Sequence, residues 1–331
     1  LVNFIPNDNF KNLKFNLGLD LRGGSDILLE VNFEEYLREK LVSSKDLVMK
    51  DLRKAKIGYT NLTSDNSPIS FEVRNLEDAK KVILTLSKQD FFTVEKIAET
   101  KFKVVLTNEA ITKMRQSVKE QSIEIIRKRI DEKGNKEITL QAGGENRIIL
   151  QVPGETSPEE IKKLLNVNAK LSFHLMDETA PFISQKFGNF KDSKILDGYN
   201  GEEDVYYVVK NKIEIDGSSL INAVASINNA EPAVSFELDS IGGKRFAEIT
   251  RANIGKPFAI VLDNKVLSAP RIREPIVGGS GVISGSFTLN EARDLALLLR
   301  SGALPTSIKI VEERIIGPSL GADSMKAGKL A

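Results

Sequence analysis

The stretch from Asn16 to Val31 reads Asn-Leu-Gly-Leu-Asp-Leu-Arg-Gly-Gly-Ser-Asp-Ile-Leu-Leu-Glu-Val. Its last five residues, Ile27 to Val31, predict a strand because an apolar run follows the glycine pair Gly23-Gly24. Phosphate-binding glycine turns follow a strand and open a helix, whereas these glycines precede a strand. They therefore favour a tight backbone bend, in which Asp20 bonds to local amides.

The segments downstream supply most of a ferredoxin-like layer around that first strand. A long amphipathic helix is predicted from about Glu109 to Lys133, with Asn108 as its cap. Strands are expected at Glu137 to Gln141 and Arg147 to Val152, and a further helix begins at Pro158. The order strand, helix, strand, strand, helix needs one more strand to complete a βαββαβ layer.

Two segments compete for that last strand, and the choice decides the domain organisation. The candidates are Lys170 to Leu175 and the late segment Ser307 to Glu312. If the late segment is used, residues 170–302 are an insertion that forms a second lobe. In that lobe we predict strands at Leu171–Met176, Val205–Val209, Val234–Leu238 and Phe258–Leu262. We predict helices at Ile241–Ile254 and Glu291–Leu299, the second of them capped by Asn290.

Composition restricts the classes of function. The chain has 331 residues, 41% of them hydrophobic, and its 47 basic and 46 acidic residues leave a net charge of +1, which argues against a nucleic-acid binder. It has no cysteine and one histidine, His174, so thiolate chemistry and multi-histidine metal sites are excluded within one chain. We expect His174 to be structural or exposed. No apolar run of 18 residues occurs, and the start lacks Met, which suggests a fragment of a longer chain.

Two further local patterns have competing interpretations. The run Arg127-Lys128-Arg129 is most simply the solvated side of a helix. The stretch Gly278-Gly279-Ser280-Gly281 lacks the Lys-Ser/Thr pair of a nucleotide-binding loop. It is either a turn between short strands or a mobile loop on a surface that binds extended chains.

Five segments carry a family resemblance. The stretch Asn16 to Val31 resembles the Leu-Gly-Leu-Asp-Leu-x-Gly-Gly signature that follows the first membrane helix of the SecD family. Four more segments resemble the family in the same order: Arg127 to Gly134, Asn146 to Gly154, Ser268 to Phe287 and Leu298 to Gly321. Because the matches are spread over the whole length, they indicate one family rather than a chance motif.

The resemblance implies an α+β fold with two lobes. A ferredoxin-like (βαββαβ) base would comprise residues 1–168 and 303–316, with an added α+β segment at about 40–107. A large inserted α+β head domain would comprise residues 169–302. Residues 317–331 would lead into the next transmembrane segment. The chain would lie on the periplasmic, extracytoplasmic side of the bacterial inner membrane.

The resemblance also implies a non-enzymatic role in protein export. The region would bind emerging, unfolded secretory preproteins and, with SecF, couple the proton-motive force to completion of export by movement of the head on the base. The implied partners are SecF, YajC and the SecYEG translocon, and the membrane is reached through segments outside this chain. No cofactor, metal ligand or catalytic residue is expected. The alternatives are a scaffold that organises the Sec subunits without touching clients, and a soluble enzyme such as a hydrolase.

The candidate residues fall into three groups. The family motif positions expected to be structural are Gly18, Asp20, Arg22, Gly23, Gly24, Pro153, Gly154, Gly302 and Pro305. The candidate client-binding positions are Phe236, Ile276, Gly278, Gly279 and Ile283. The candidate hinge positions are Arg300, Gly302 and Pro305.

Overall fold

The structure is a computed structural model, and it describes residues 23–63, 68–87, 91–132, 134–154, 158–188, 190, 192–199 and 205–316. The motif positions Gly18, Asp20 and Arg22, and the expected membrane entrance at 317–331, lie outside the described residues. Within the described ranges, none of the helices has the length and apolar character needed to cross a bilayer.

Helices and strands are mixed along the chain, which confirms the predicted α+β class. The helices are α1 (Phe33–Lys54), α2 (Leu76–Leu86), α3 (Asn108–Ile130), α4 (Pro158–Leu165), α5 (Ser240–Ala252) and α6 (Leu289–Ser301). The strands are β1 (Gly24–Val31), β2 (Tyr59–Thr63), β3 (Ile69–Val73), β4 (Phe92–Lys96), β5 (Lys101–Leu106), β6 (Thr139–Ala142), β7 (Arg147–Pro153), β8 (Leu171–Leu175), β9 (Phe182–Ile183), β10 (Ser193–Gly198), β11 (Tyr206–Lys210), β12 (Ile215–Asp216), β13 (Leu220–Asn228), β14 (Glu231–Leu238), β15 (Phe258–Leu262), β16 (Lys265–Ser268), β17 (Ser280–Ser284) and β18 (Ile308–Ile316).

The base contains a four-stranded sheet in the order β18-β1-β7-β6, in which all neighbours are antiparallel. Together with α3 and α4, its elements follow the chain order β, α, β, β, α, β. The strand that completes it is the late candidate, while Lys170 to Leu175 falls largely in β8 of another sheet. Alternate residues of β1 are buried, including Ile27 and Leu29, because one face of the sheet is covered by the two helices.

The added segment of the base forms a second sheet and a core of its own. The sheet order is β2-β3-β5-β4, and α1 and α2 supply the helices. Phe71 and Phe102 stack at its centre with ring centroids 5.8 Å apart. Leu37 of α1 and Met114 of α3 pack against this core and also against the core of the first sheet. The two helices therefore join the added segment to the rest of the base.

In the described part of the head, two sheets pack with the helices α5 and α6. A seven-stranded sheet has the order β12-β8-β15-β16-β10-β11-β9, and a three-stranded sheet has the order β13-β14-β17. Four phenylalanine rings fill the space between the elements, with neighbouring centroids 5.4 to 6.2 Å apart: Phe173, Phe236, Phe246 and Phe258. The buried residues of this core, which include the buried apolar residues of α6, all belong to residues 169–299. The strands β9, β10, β12, β13 and β17 were not predicted from the sequence.

Two helix starts differ from the prediction by one or two residues. Thr107, rather than Asn108, caps α3, since its side-chain oxygen accepts a bond from the third residue of the turn. Thr288, rather than Asn290, caps α6, and it forms a reciprocal capping box with Glu291. In both cases the threonine has the extended backbone that a cap requires, while the asparagine already lies in the helix.

Candidate functional site

The chain passes between base and head twice, and the two passages lie side by side. The first crossing comprises residues 164–170, from the end of α4 into the head. The second crossing comprises residues 301–307, from the end of α6 back to β18. The amide of Leu304 in the second crossing donates to the carbonyl oxygen of Asn168 in the first at 2.8 Å. The head is therefore attached to the base at one place.

Arg129, in the last turn of α3, binds both crossings. Its side chain is only 1% exposed, so the prediction that Arg127-Lys128-Arg129 forms a solvated face is wrong for Arg129. Nε donates to the Ser301 hydroxyl at 3.4 Å, Nη1 donates to the carbonyls of Leu164 (2.8 Å) and Val167, and Nη2 donates to those of Asn168 (3.0 Å) and Gly302 (3.1 Å). A guanidinium has five N–H donors, and each has an acceptor here.

The acceptors explain why a buried cation is tolerated. They are one hydroxyl and four carbonyls at or near the ends of α4 and α6, where helices leave unpaired carbonyl oxygens and partial negative charge. Burial lowers the pKa of the Arg129 guanidinium to about 10, and the negative charge of Asp263 opposes this shift. At that pKa the side chain carries its charge at neutral pH.

Asp263 holds the first crossing from the head side. It lies in the turn between β15 and β16, where its carboxylate accepts bonds from the amides of Ala169 (3.0 Å) and Lys170 (2.9 Å). Ala169 has a φ of 62°, a left-handed conformation that costs a residue with a β-carbon about 1–2 kcal/mol. The first crossing is thus strained at one residue and is fixed by Arg129 on one side and Asp263 on the other.

The predicted hinge positions occupy different places in the second crossing. Gly302 has a φ of 93°, so it adopts a conformation that L side chains rarely do. Pro305 is half-buried and lines the cleft between the lobes. Arg300 donates to the carbonyl of Ala223 in β13 at 2.7 Å and pairs with Glu132, the second residue after α3. Arg300 therefore connects the head to the base through its ion pair with Glu132. Its role as a hinge stays a prediction.

Helix α1 of the base also contacts both crossings. The Lys170 ammonium pairs with Glu39 at 2.7 Å. Glu35 accepts bonds from the hydroxyls of Thr306 (3.2 Å) and Ser307. These bonds, led by the one from Ser307, lower the pKa of the Glu35 carboxyl. The crossings are consequently held by two base helices, α1 and α3.

A cleft of about 740 Å³ opens beside the crossings and gathers carboxylates from distant segments. Four of them line it: Glu35, Glu39, Asp216 and Asp263. Glu35, Glu39 and Asp263 hold the crossings as described above. Asp216 accepts a hydrogen bond from the amide of Ser218 at 2.9 Å. All four therefore serve structural bonds, and the pKa of Glu35 is lowered rather than raised as a general acid requires.

His174 lines the same cleft and has a structural environment, which confirms that prediction. Its side chain is 0% exposed. Nδ1 lies 2.8 Å from the carbonyl oxygen of Lys210, and Nε2 lies 3.1 Å from the Ser172 hydroxyl. Because a carbonyl only accepts, Nδ1 carries the hydrogen and Nε2 accepts from Ser172. Burial lowers the pKa of the imidazole, so the neutral form is favoured.

Two candidate client-binding residues are in the core of the head. Phe236 and Ile283 are both buried and face the aromatic cluster, so they form no part of the surface, which corrects their choice as contact positions. Ile276 is partly buried against the same core. The Gly279 carbonyl accepts from the Leu238 amide at 2.9 Å. An added Cβ at Gly279 would lie 3.1 Å from the backbone of α5, which favours the structural turn over a mobile loop.

The three-stranded sheet of the head exposes apolar residues on β13 and β17. Strand β13 is an edge strand, paired in its sheet with β14 alone, and it exposes Ile221, Val224 and Ile227, the last 72% exposed. Val282 of β17 is exposed on the same sheet face as Val224. Strand β13 was missed in the sequence because its apolar residues do not alternate. Its β-branched residues between the Gly-Ser-Ser and Asn-Asn turns were the available signal.

The glycines and proline of the two base motifs meet in space. Gly24 pairs with Pro153 across β1 and β7, and the Gly154 amide donates to the Gly23 carbonyl at 2.9 Å. Gly23, Gly24 and Gly154 all have positive φ angles, of 69°, 143° and 94°. The structure therefore brings these four motif positions into one bend at the end of the base sheet.

The comparisons with known proteins agree with each other. Residues 193–306 match the family model described as SecDF, P1 head subdomain, and residues 119–178 match the model described as protein translocase subunit SecDF, P1 domain, N-terminal. The chain is 45% identical over 331 residues to the protein translocase subunit SecD of Rickettsia conorii, an alignment that covers 99% of this chain and 63% of that protein. It is 39% identical over 327 residues to the SecD of Acetobacter pasteurianus, covering 96% of this chain and 62% of that one.

A solved structure shares the fold as well. The crystal structure of SecDF in a super-membrane-facing form superposes with a TM-score of 0.57 at 26% identity, covering 95% of this chain and 33% of that one. The chain spans about 63% of the length of the Rickettsia relative, so it corresponds to part of such a protein.

Proposed function

Because the chain belongs to the SecD family of protein translocase subunits, we propose that it is an extracytoplasmic region that binds segments of exported proteins during translocation. In this proposal the head captures an emerging, unfolded preprotein and then moves on the base. SecF, with the membrane segments outside this chain, couples that movement to the proton-motive force, and SecYEG and YajC are the neighbouring subunits. The region acts on the periplasmic side of the inner membrane.

The observation that carries the binding proposal is the edge position of β13, on which Arg300 binds the carbonyl of Ala223. An edge strand offers unpaired backbone groups, and an extended chain can pair with them whatever its sequence. Ile221, Val224 and Ile227 add exposed apolar surface along that edge. Such a surface suits clients that share an unfolded backbone and little else.

We further propose that the region is not an enzyme. The cleft is the place where a hydrolase site would be expected, since it gathers four carboxylates and the Ser172–His174 pair. The carboxylates are committed to the crossings and to a turn, and the His174 Nδ1 faces a carbonyl in place of a carboxylate. The groups available in this cleft therefore support attachment of the head better than acid–base chemistry.

Site-specific photo-crosslinking in the full-length membrane protein tests the proposal during export of a stalled secretory protein. The crosslinker is placed at Val224 or Ile227 in the head and, as matched exposed apolar controls, at Val311 or Ile315 in β18 of the base. We expect crosslinks to the client from the head positions and not from the base positions. Crosslinks to Sec subunits alone would instead support the scaffold alternative and remove client binding.

A further inference from the structure

We propose that Arg129 is a positioning residue that fixes the orientation of the head on the base. It belongs to α3 of the base, yet all five of its N–H groups are used by the two crossings. The inference deepens the proposed function, because it rests on the idea that the head takes more than one orientation.

One peptide unit of the first crossing is bound by both lobes. The carbonyl oxygen of Asn168 accepts from Arg129 at 3.0 Å, and the amide of the same peptide unit, on Ala169, donates to Asp263 at 3.0 Å. A cation of the base and an anion of the head thus hold opposite ends of one planar group. The plane immediately before the left-handed residue Ala169 is consequently fixed to both lobes.

The second crossing is held in the same way at its own positive-φ residue. Arg129 bonds to the carbonyl oxygen of Gly302, so the peptide plane that follows this residue is fixed to the base. A backbone rotation at Ala169 or at Gly302 would turn the head, because each residue lies in a crossing. Arg129 therefore restrains both rotations with one rigid, planar group.

The geometry needs an arginine in particular. A lysine keeps the positive charge but has three donors on one nitrogen, so it cannot reach acceptors spread across both crossings. Replacing Arg129 with lysine should therefore preserve the favourable charge at the helix ends while releasing part of the restraint. Arg127, two residues earlier on the same helix, is exposed and provides a matched control for the same substitution.

The test measures the distance between the lobes in the full-length protein reconstituted in lipid nanodiscs. Spin labels are attached in a cysteine-free background at Val311 in the base and Ile227 in the head, both exposed. A second pair within the head, at Ile227 and Ile254, reports whether the lobe itself is intact. We expect one narrow distance between the lobes in the parent protein and in Arg127→Lys. Arg129→Lys should give a broadened or two-peaked distribution and Arg129→Met a broader one still, with the distance within the head unchanged.

Two results would overturn the inference. One is an unchanged narrow distance between the lobes in both Arg129 variants. The other is a broadened distance within the head, which would make Arg129 a folding residue of the lobe. The inference and the proposed function fail separately, because a change in the distance can occur without any crosslink to a client, and crosslinks can occur without a change in the distance.

Discussion

At the scale of single residues, the backbone conformations of Ala169 and Gly302 set the geometry of the crossings. Both have positive φ angles, and both flank peptide groups that Arg129 binds. The alanine is strained in this conformation, whereas the glycine is not. The strain at Ala169 persists because Arg129 and Asp263 bind the neighbouring peptide groups and offset its cost.

Gly302→Ala should destabilise the protein through the backbone alone. Gly302 has φ 93° and ψ 165°, a region open almost only to glycine, and an added Cβ would meet no atom within 4 Å. We expect a loss of roughly 1–3 kcal/mol in the free energy of unfolding, measured by denaturant titration. Gly278→Ala is the control, because its Cβ also meets nothing and its φ is not positive. Equal stability of the two variants would contradict this account of Gly302.

His174 should make stability depend on pH in the range just below neutral. Burial lowers its pKa in the folded state, so the folded protein binds this proton less readily than the unfolded chain. The stability contribution is therefore present above the unfolded pKa of about 6.5 and is lost as pH falls through the folded pKa. We expect the imidazole NMR signals of His174, the one histidine in the chain, to titrate below pH 6.5. A midpoint at or above that value would show that the ring is not buried in its neutral form.

The sequence predicted some of these residues and not others, for physical reasons. Gly302 was identified before the structure as a family motif position and a candidate hinge, and its positive φ fits a glycine that follows a helix. Arg129 was missed because a run of three cations is usually solvated, and whether one of them turns inward depends on where α4 and α6 end. Those ends are separated from Arg129 by up to 173 positions along the chain, so no local pattern reports them.

At the scale of elements, three helix ends meet at the junction. Helices α3, α4 and α6 all end beside the crossings, and the C-terminal carbonyls of α4 and α6 need donors. The sequence predicted all three helices and placed the ends of α3 and α6 within three residues of the observed ones, whereas for α4 it predicted only the start. It left the last strand of the base sheet undecided, because pairing of β1 with β18 joins segments nearly 300 residues apart and leaves no local signal. The exposed edge of β13 was missed because the apolar residues of this strand do not alternate along the sequence.

The cap of α6 offers a test at this scale. Thr288→Ala removes the side-chain oxygen that accepts from the Glu291 amide at 3.2 Å and breaks the capping box. We expect it to lower the free energy of unfolding by about 1 kcal/mol. Asn290→Ala, at the exposed position that the sequence suggested as the cap, should change stability little. Thermal unfolding of both variants decides between them, and a larger loss for Asn290→Ala would mean that the cap is misassigned.

At the scale of the whole molecule, the described residues form lobes with separate cores. The aromatic core of the head and the core of the base sheet share only Leu164, which is partly buried against both. The added segment has a third core that is continuous with the base through α1 and α3. We therefore expect the head and the base to open as separate cooperative units.

Core substitutions in each lobe test this expectation. Phe236→Ala removes a ring from the head cluster and should cost about 3–5 kcal/mol, which speeds amide hydrogen exchange across the head. Leu150→Ala, at a fully buried position in β7, should speed exchange across the base sheet. Hydrogen exchange of the full-length protein, followed by mass spectrometry, reports both. Acceleration of both lobes by either variant would indicate one cooperative unit.

The bond between the Leu304 amide and the Asn168 carbonyl has a mechanical consequence. The two ends of the head leave the base at adjacent points. A pulling force applied to the base is therefore carried by this contact between the crossings and does not run through the chain of the head. The lobe carries no tension while the contact holds. Once it breaks and the head unfolds, residues 169–302 are released together, which lengthens the tether by about 450 Å. The junction thus shields the head from tension along the chain until this contact breaks.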